Sequence, residues 1–242
     1  MENATYVALS RQMVLQHQMD VISNNLANMT TPAYKGESLI FVEYLNDTGD
    51  GDPISFVQDL ATVRDLRPGP LAPTGNPLDL ALPDKGYFVI ETDEGDRYTR
   101  AGNFTLDESG QIVTSQGQVL LGDGGAPLVV PTGTSSITVA LDGTVSTDNG
   151  RIGRVEVVVF ENEQSLLKLQ NGLYDANEEE PLPAEDTQIM QGMIENSNVM
   201  GIVEMTRLIS TVRSYQAAQS LIEQENKILS RAIESLLAST NA

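Results

Sequence analysis

A chain of 242 residues can bury a real core, as one large domain or two small ones. Its net charge of −20, from 34 acidic against 14 basic residues, argues against a partner recognised through phosphates, whether nucleic acid or an anionic membrane surface; the acidity reads as a solubility feature. With no cysteine it has neither disulfides nor thiolate metal sites, and no apolar run approaches the roughly 18 residues of a membrane span.

The chain opens on a helical pattern over residues 3–30, with Asn3 as its cap. Leu15, Met19, Ile22, Leu26 and Met29 step 4, 3, 4, 3, and Tyr6, Leu9 and Met13 form an earlier stripe offset from them, like a stutter in a heptad. Arg11, Gln12, Gln16, His17 and Gln18 interrupt the apolar residues, so this is not the pattern of a secretory leader, and export would need a route without a cleaved one. Pro32 stops the helix, and Thr31 before it is pushed toward extended geometry.

Residues 32–77 read as an irregular, extended connector rich in proline and glycine, with extended stretches at Ser38–Tyr44 and Ile54–Val57. Asp47-Thr-Gly-Asp-Gly-Asp52 resembles the start of a calcium loop. Counted from Asn46, however, the twelfth position is Val57, where a bidentate Glu is needed, so a solvated turn is the better reading. Residues 78–175 then alternate short apolar runs with turns such as Asp84-Lys-Gly86 and Asp142-Gly143, the pattern of a β-domain. Its expected strands are Leu78–Leu82, Tyr87–Glu91, Arg97–Thr99, Gln111–Thr114, Val119–Leu121, Leu128–Val130, Ser136–Leu141 and Val155–Phe160.

Residues 176–197 form a polar connector, and Asn196-Ser-Asn198 supplies caps for a final helix over 198–242. In that helix Met205, Leu208, Val212, Tyr215, Ile222, Leu229, Ile233 and Leu236 fall on a series of 3.5-residue spacing, which only Gln219 and Asn226 interrupt. At 1.5 Å per residue such a helix is roughly 60 Å long, more than a domain of this size is wide. The N-terminal helix covers only part of its seam, which leaves the rest for other copies or other proteins. Gln219 and Asn226 either fix the register of a helix interface or face water. The predicted fold class is α+β: long terminal helices paired as a coiled coil, with an all-β domain inserted between them.

Nothing in the chain composes a reaction centre. The single histidine, His17, lies on the N-terminal helix among glutamines, which suits a helix surface better than a general base. There is no cysteine nucleophile, no G-x-S-x-G and no P-loop. The expectation is therefore a protein without catalytic, cofactor or metal sites. A secreted β-domain binding module dimerised by a helical stalk stays open as an alternative to an assembly subunit.

Three stretches carry a resemblance. Ser23-Asn-Asn-Leu-Ala-Asn28 with Thr31, Tyr34 and Lys35 resembles the N-terminal signature of the flagellar axial proteins of rod, hook and hook-associated type, although Ala33 stands where glycine is usual. Gln191-Gly-Met-Ile-Glu-Asn-Ser-Asn-Val199, then Glu204-Met205, Leu208-Ile209, Arg213 and Tyr215, resembles their C-terminal signature. Leu78-Asp-Leu-Ala-Leu82, Gly86-Tyr-Phe88, Tyr98-Thr-Arg100, Gly102, Phe104, Asp107 and Gly110 resemble their central run. Length, Ser10-Arg-Gln-Met13, Arg151-Ile-Gly-Arg154 and Gln191-Gly-Met193 are closer to the proximal-rod branch than to the distal-rod branch.

The resemblance implies a structural subunit of the periplasmic rod, exported through the flagellar type III apparatus with an uncleaved signal. Its partners would be other copies and other rod proteins, with no cofactor, no nucleic acid and no membrane insertion. It assigns the apolar seams of the terminal helices to assembly, and marks Asn24, Asn25, Ala27, Asn28, Thr31, Ser197, Asn198 and Val199 as signature residues.

Overall fold

The computed structural model describes residues 2–46, 54–184 and 187–240, with side chains described for all of these but 2–6, 42–46, 54–60, 232–233 and 235–240. The Asp47–Asp52 turn lies outside the described residues. The fold is α+β, and the chain divides into two units: residues 1–27, 37–64 and 200–242 form the first, residues 28–36 and 65–199 the second. The chain therefore passes between them four times.

In the first unit, helix α1 spans Glu2–Ala27 and helix α2 spans Gly201–Thr240. α1 ends short of the expected boundary because Asn28 begins a turn. The Thr31 amide donates to the Asn28 carbonyl at 3.1 Å, and the Thr31 hydroxyl meets Asn28 Oδ1 at 3.1 Å. Met29 consequently sits in that turn, exposed, and not on a helix seam. The expected caps of α2 shift as well. The Val203 and Glu204 amides both donate to the Met200 carbonyl, so the helix starts after Asn198.

The two helices pack against each other antiparallel. Asn25 near the end of α1 lies 3.4 Å from a Glu204 carboxylate oxygen near the start of α2, and Val7, Ala8 and Arg11 share a groove with Ser214, Ala217, Ala218 and Leu221. The buried line on α2 is Glu204, Thr211 and Ala218, with Leu208, Tyr215 and Ile222 half-buried between them. The expected seam shares those last three residues but is rotated by one position at Glu204, Thr211 and Ala218, and toward the C-terminus both Ile228 and Leu229 are exposed. Met205 and Leu229 are exposed, Val212 is half-buried, and the side chains of Ile233 and Leu236 lie outside the described residues. Gln219 and Asn226 also face outward, Gln219 bonding Glu223 at 3.3 Å.

The physical reason is size. Thr211, Ala218 and, on α1, Ala8 let two backbones approach closely, and one partner helix covers only a narrow line. α1 buries Ala8, Val21, Ile22 and Asn25 and half-buries Leu15, Met19 and Leu26, whereas Leu9 and Met13 of the offset stripe point outward.

Residues 32–77 are more ordered than an irregular connector. They carry an antiparallel hairpin, β1 (Glu37–Asn46) and β2 (Ile54–Arg64), which belongs to the first unit and packs on α1. Both expected extended stretches fall on it. A bulge between Ile40 and Phe41 lets the longer strand keep register.

The second unit begins its strands with β3 (Leu71–Pro73) and β4 (Leu80–Ala81). Among the described residues its main sheet has ten strands, antiparallel where they pair. The path runs through Leu167–Lys168, Leu173–Asp175, β6 (Gly95–Thr99), β5 (Tyr87–Thr92), Val119–Gly122, Ile112–Val113 and Thr105–Leu106. β5 also pairs with Val157–Val159. A separate three-stranded sheet holds Ile137–Val139, Thr144–Thr147 and Gly150–Arg154, while Leu128–Val130 makes a single bridge in place of the expected strand.

β5 reads as a continuous apolar run because both of its faces are buried. Phe88 and Ile90 join Phe104, Ile112 and Leu120 in one cluster; Tyr87 and Val89 join Tyr98, Phe160 and Tyr174 in another. The second cluster is aromatic, with edge-to-face pairs at 4.9–5.7 Å between ring centres.

Candidate functional site

The signature residues do not make a catalytic pocket. Three of them, Asn25, Ser197 and Asn198, take part in two clasps, one in each unit. In the first unit Asn25, buried on α1, accepts the Glu37 amide on Oδ1 at 2.9 Å and donates through Nδ2 to the Glu37 carbonyl at 2.8 Å. The same Nδ2 reaches Glu204 of α2. One amide side chain thus ties α1 to the start of β1 and to α2, which explains asparagine: it both donates and accepts from a single planar head. Glu204 is held from its other oxygen by Arg207 Nη1 at 2.7 Å.

In the second unit Asn198 plays the matching part. Its Oδ1 accepts the Gly36 amide at 2.8 Å, and its Nδ2 donates to the carbonyls of Asp65 at 2.8 Å and Arg67 at 2.9 Å. The Asn198 amide donates to the Tyr34 carbonyl at 3.2 Å, and the Asp65 amide to the Gly36 carbonyl at 2.7 Å. Ser197 is buried, its hydroxyl accepting the Val199 amide at 3.2 Å. Segments 28–36, 65–70 and 193–199 are drawn together here. Of the other signature positions, Asn28, Thr31 and Val199 are half-buried, and Asn24 and Ala27 are exposed on α1.

Beneath Asn198 lies a charged cluster whose residues stood within the quoted motifs without being singled out. Glu195, 1% exposed, accepts Lys35 Nζ at 2.6 Å and the Gly69 amide at 2.8 Å on Oε1, and Arg100 Nε at 2.8 Å on Oε2. Lys35 and Arg100 are 3% and 4% exposed. The surplus positive charge is spread over carbonyls. Lys35 also donates to Arg67 O at 3.0 Å; Arg100 donates to Gly86 O at 2.9 Å and to Leu82 O and Asp84 O at 3.0 Å each. Burial holds the Lys35 amine below the ordinary lysine value, opposed by the Glu195 carboxylate.

Backbone approach completes the cluster. The Ala33 amide donates to the Glu195 carbonyl at 2.8 Å, and the Asn196 amide to the Pro70 carbonyl at 3.0 Å. β3 pairs with Met193–Glu195. Gly69 is required here: a Cβ on it would stand 1.9 Å from the Asn196 carbonyl oxygen. Ala33, in the place where the resembling family carries glycine, takes φ = 55°, the left-handed region.

Chemically, the arrangement can hold segments and little else. Lys35, Arg100 and Glu195 are buried at 1–4% exposure, and their hydrogen bonds are with one another and with backbone groups. Among the described residues no group of three or more potential ligands could hold a metal ion, and no helix is long and apolar enough to cross a membrane. His17 is exposed on α1.

Comparison with known proteins follows the same three stretches. Residues 6–35 match the family described as flagella basal body rod protein, 81–147 the flagellar hook protein FlgE/F/G D1 domain, and 190–235 the flagellar basal body rod FlgEFG protein C-terminal region. The chain is 36% identical to the flagellar basal-body rod protein FlgF of Caulobacter vibrioides and 32% identical to that of Rhizobium meliloti, in each case over 98% of both chains. It is 29% identical to the rod protein FlgG of Bacillus subtilis, over 96% of this chain and 98% of that one. End-to-end similarity at this level places the chain in the family of flagellar basal-body rod proteins of the FlgF type, which are structural subunits and not enzymes.

Proposed function

We propose that this subunit occupies the proximal part of the rod and is built into it through its two terminal helices, α2 continuing its seam in coiled-coil fashion against the helices of neighbouring subunits. The observation that carries this reading is the apolar surface that the helix pair leaves uncovered. Ile202, Met205 and Ile209 run along one face of α2, with Ile202 72% and Ile209 53% exposed, and Met13 on α1 is 66% exposed. Single exposed apolar residues are ordinary, but a stripe at helical spacing is a contact surface.

Neighbours would be other copies and other rod proteins, joined by contacts between unlike patches that propagate a filament. The second unit serves as the folded body displayed from that assembly. The chain reaches the rod through the flagellar type III apparatus without losing a leader.

The test is incorporation. Ile202→Asp and Ile209→Asp chains are expressed in cells lacking the native subunit, and purified basal bodies are probed for them. The reading predicts absence of both variants from basal bodies, with the isolated proteins melting as the unsubstituted chain does. Incorporation at the normal level would reject this stripe as an assembly face. Intact mass of the incorporated protein reports whether a leader is removed.

A further inference from the structure

We propose that Glu195 is a latch that makes the two straps of the second unit, 28–36 and 193–199, close and open as one element. The inference stands on the arrangement of charges and is independent of which rod position the subunit takes.

One carboxylate serves three separate parts of the chain. Lys35 comes from the N-terminal strap, Arg100 from the end of β6, and the Gly69 amide from the segment leading into β3. None of these is a surface ion pair, whose loss water would repair. At 1–4% exposure, removing one partner strands an ionised group where water does not reach it. Loss of either cation therefore weakens the hold on the carboxylate, and loss of the carboxylate leaves each cation with backbone carbonyls only. Asn198 and the Ala33 amide then bond the straps directly, and the Lys168 amine sits 4.4 Å above the Tyr34 ring, tying the N-terminal strap to the main sheet.

The position gives the coupling its consequence. The four points at which the chain leaves this unit follow or precede Asn28, Gly36, Asp65 and Val199. Each belongs to, or is hydrogen-bonded into, the segments that the cluster holds. A strap that loosened alone would free only its own exits, two for 28–36 and one for 193–199, and leave the others fixed. A latch instead makes all four exits a single two-state element, so the straps of this unit are either closed together or open together.

Native-state hydrogen exchange on the full-length chain tests this through perturbation on one strap and readout on the other. Lys35→Met is read at the Asn196 amide, which bonds Pro70 and not Lys35. Glu195→Gln is read at the Thr31 and Tyr34 amides, which bond within their own strap. The Ile112 and Val130 amides, inside the β core, are the controls. The latch predicts exchange at least tenfold faster at the distant strap in each variant, with the controls changed less than twofold. If acceleration stays on the substituted strap, the straps are independent and the proposal fails. If the controls accelerate equally, the cluster supports the whole unit and is not a latch, which also overturns it. Should Lys35→Met fail to accumulate folded, Glu195→Gln, which keeps the shape and one acceptor, carries the test alone.

Discussion

The second unit encloses a core, with Phe88, Ile90 and Leu120 all at 0% exposure, and its exposed large apolar residues, such as Leu106, Leu141 and Leu167, lie in separate parts of the chain, while helix α2 of the first lines up residues of the same kind at helical spacing on an outward face. The contrast is not one of composition. Ile202, Met205 and Ile209 are as apolar as the β core, and they sit on a helix whose narrow inward line is filled by Glu204, Thr211 and Ala218. A sheet covered on both faces can finish its core within one chain. Two helices side by side cover only one line of each other, and whatever else is apolar on them waits for another partner. On the proposed function, the difference separates the part of the subunit that is complete alone from the part that assembly would complete.

Substitutions can break this comparison. The largest effect is expected from Phe88→Ala, which empties a fully buried site beside Phe104 and should cost about 3–5 kcal/mol of the second unit's stability in denaturant unfolding. A loss below about 1 kcal/mol would mean that this core is no better completed than the helices.

The next effect is read against pH. Burial first, then the Glu163 carboxylate, raises the Tyr87 phenol well above its ordinary value, and burial raises Tyr98 as well. A raised folded-state value means that the stabilisation is whole below the unfolded value near 10 and is lost as pH climbs past it. Lys35, pushed down, acts in the opposite sense over the range just below the ordinary lysine value, one group against two. Urea midpoints should therefore fall between about pH 10 and 12. Tyr87→Phe should flatten that fall while lowering stability at pH 8 by about 1–3 kcal/mol, through loss of the 2.9 Å bond to Glu163. An unchanged alkaline slope would contradict the assignment.

The smallest effect sharpens the comparison at the strap. Ala33→Gly relieves a left-handed backbone and should raise the melting stability by about 0.5–1 kcal/mol, the one substitution here expected to stabilise. A loss of stability would place the strain elsewhere.

Much of this was legible in the sequence, for reasons that also mark its limits. Apolar period locates a helix seam to within one residue, because adjacent positions on a helix are only 100° apart. Leu208, Tyr215 and Ile222 are therefore shared, while the positions of Met205, Val212 and Gln219 yield to Glu204, Thr211 and Ala218. Hydrophobicity alone does not reveal that a threonine and an alanine suit a close crossing better than a methionine. The long hairpin was hidden because Gly49, Gly51 and Pro53 punctuate the chain in the same manner whether they close a hairpin or fill a loop. Lys35, Arg100 and Glu195 were visible as letters in three motifs lying up to 160 residues apart, and no spacing rule brings such positions together. Each stood as one charge in a motif that offered no chemistry, which is how a buried structural ion cluster reads before its fold is known.

The central claim is that the second unit is complete in the single chain and the helices are not. Limited proteolysis of the isolated full-length subunit, with fragments mapped by mass, tests it most directly. The account predicts early cleavage within 2–27 and 205–240, leaving a resistant body that contains residues 65–199. Helices and β core cleaved at the same rate would contradict it.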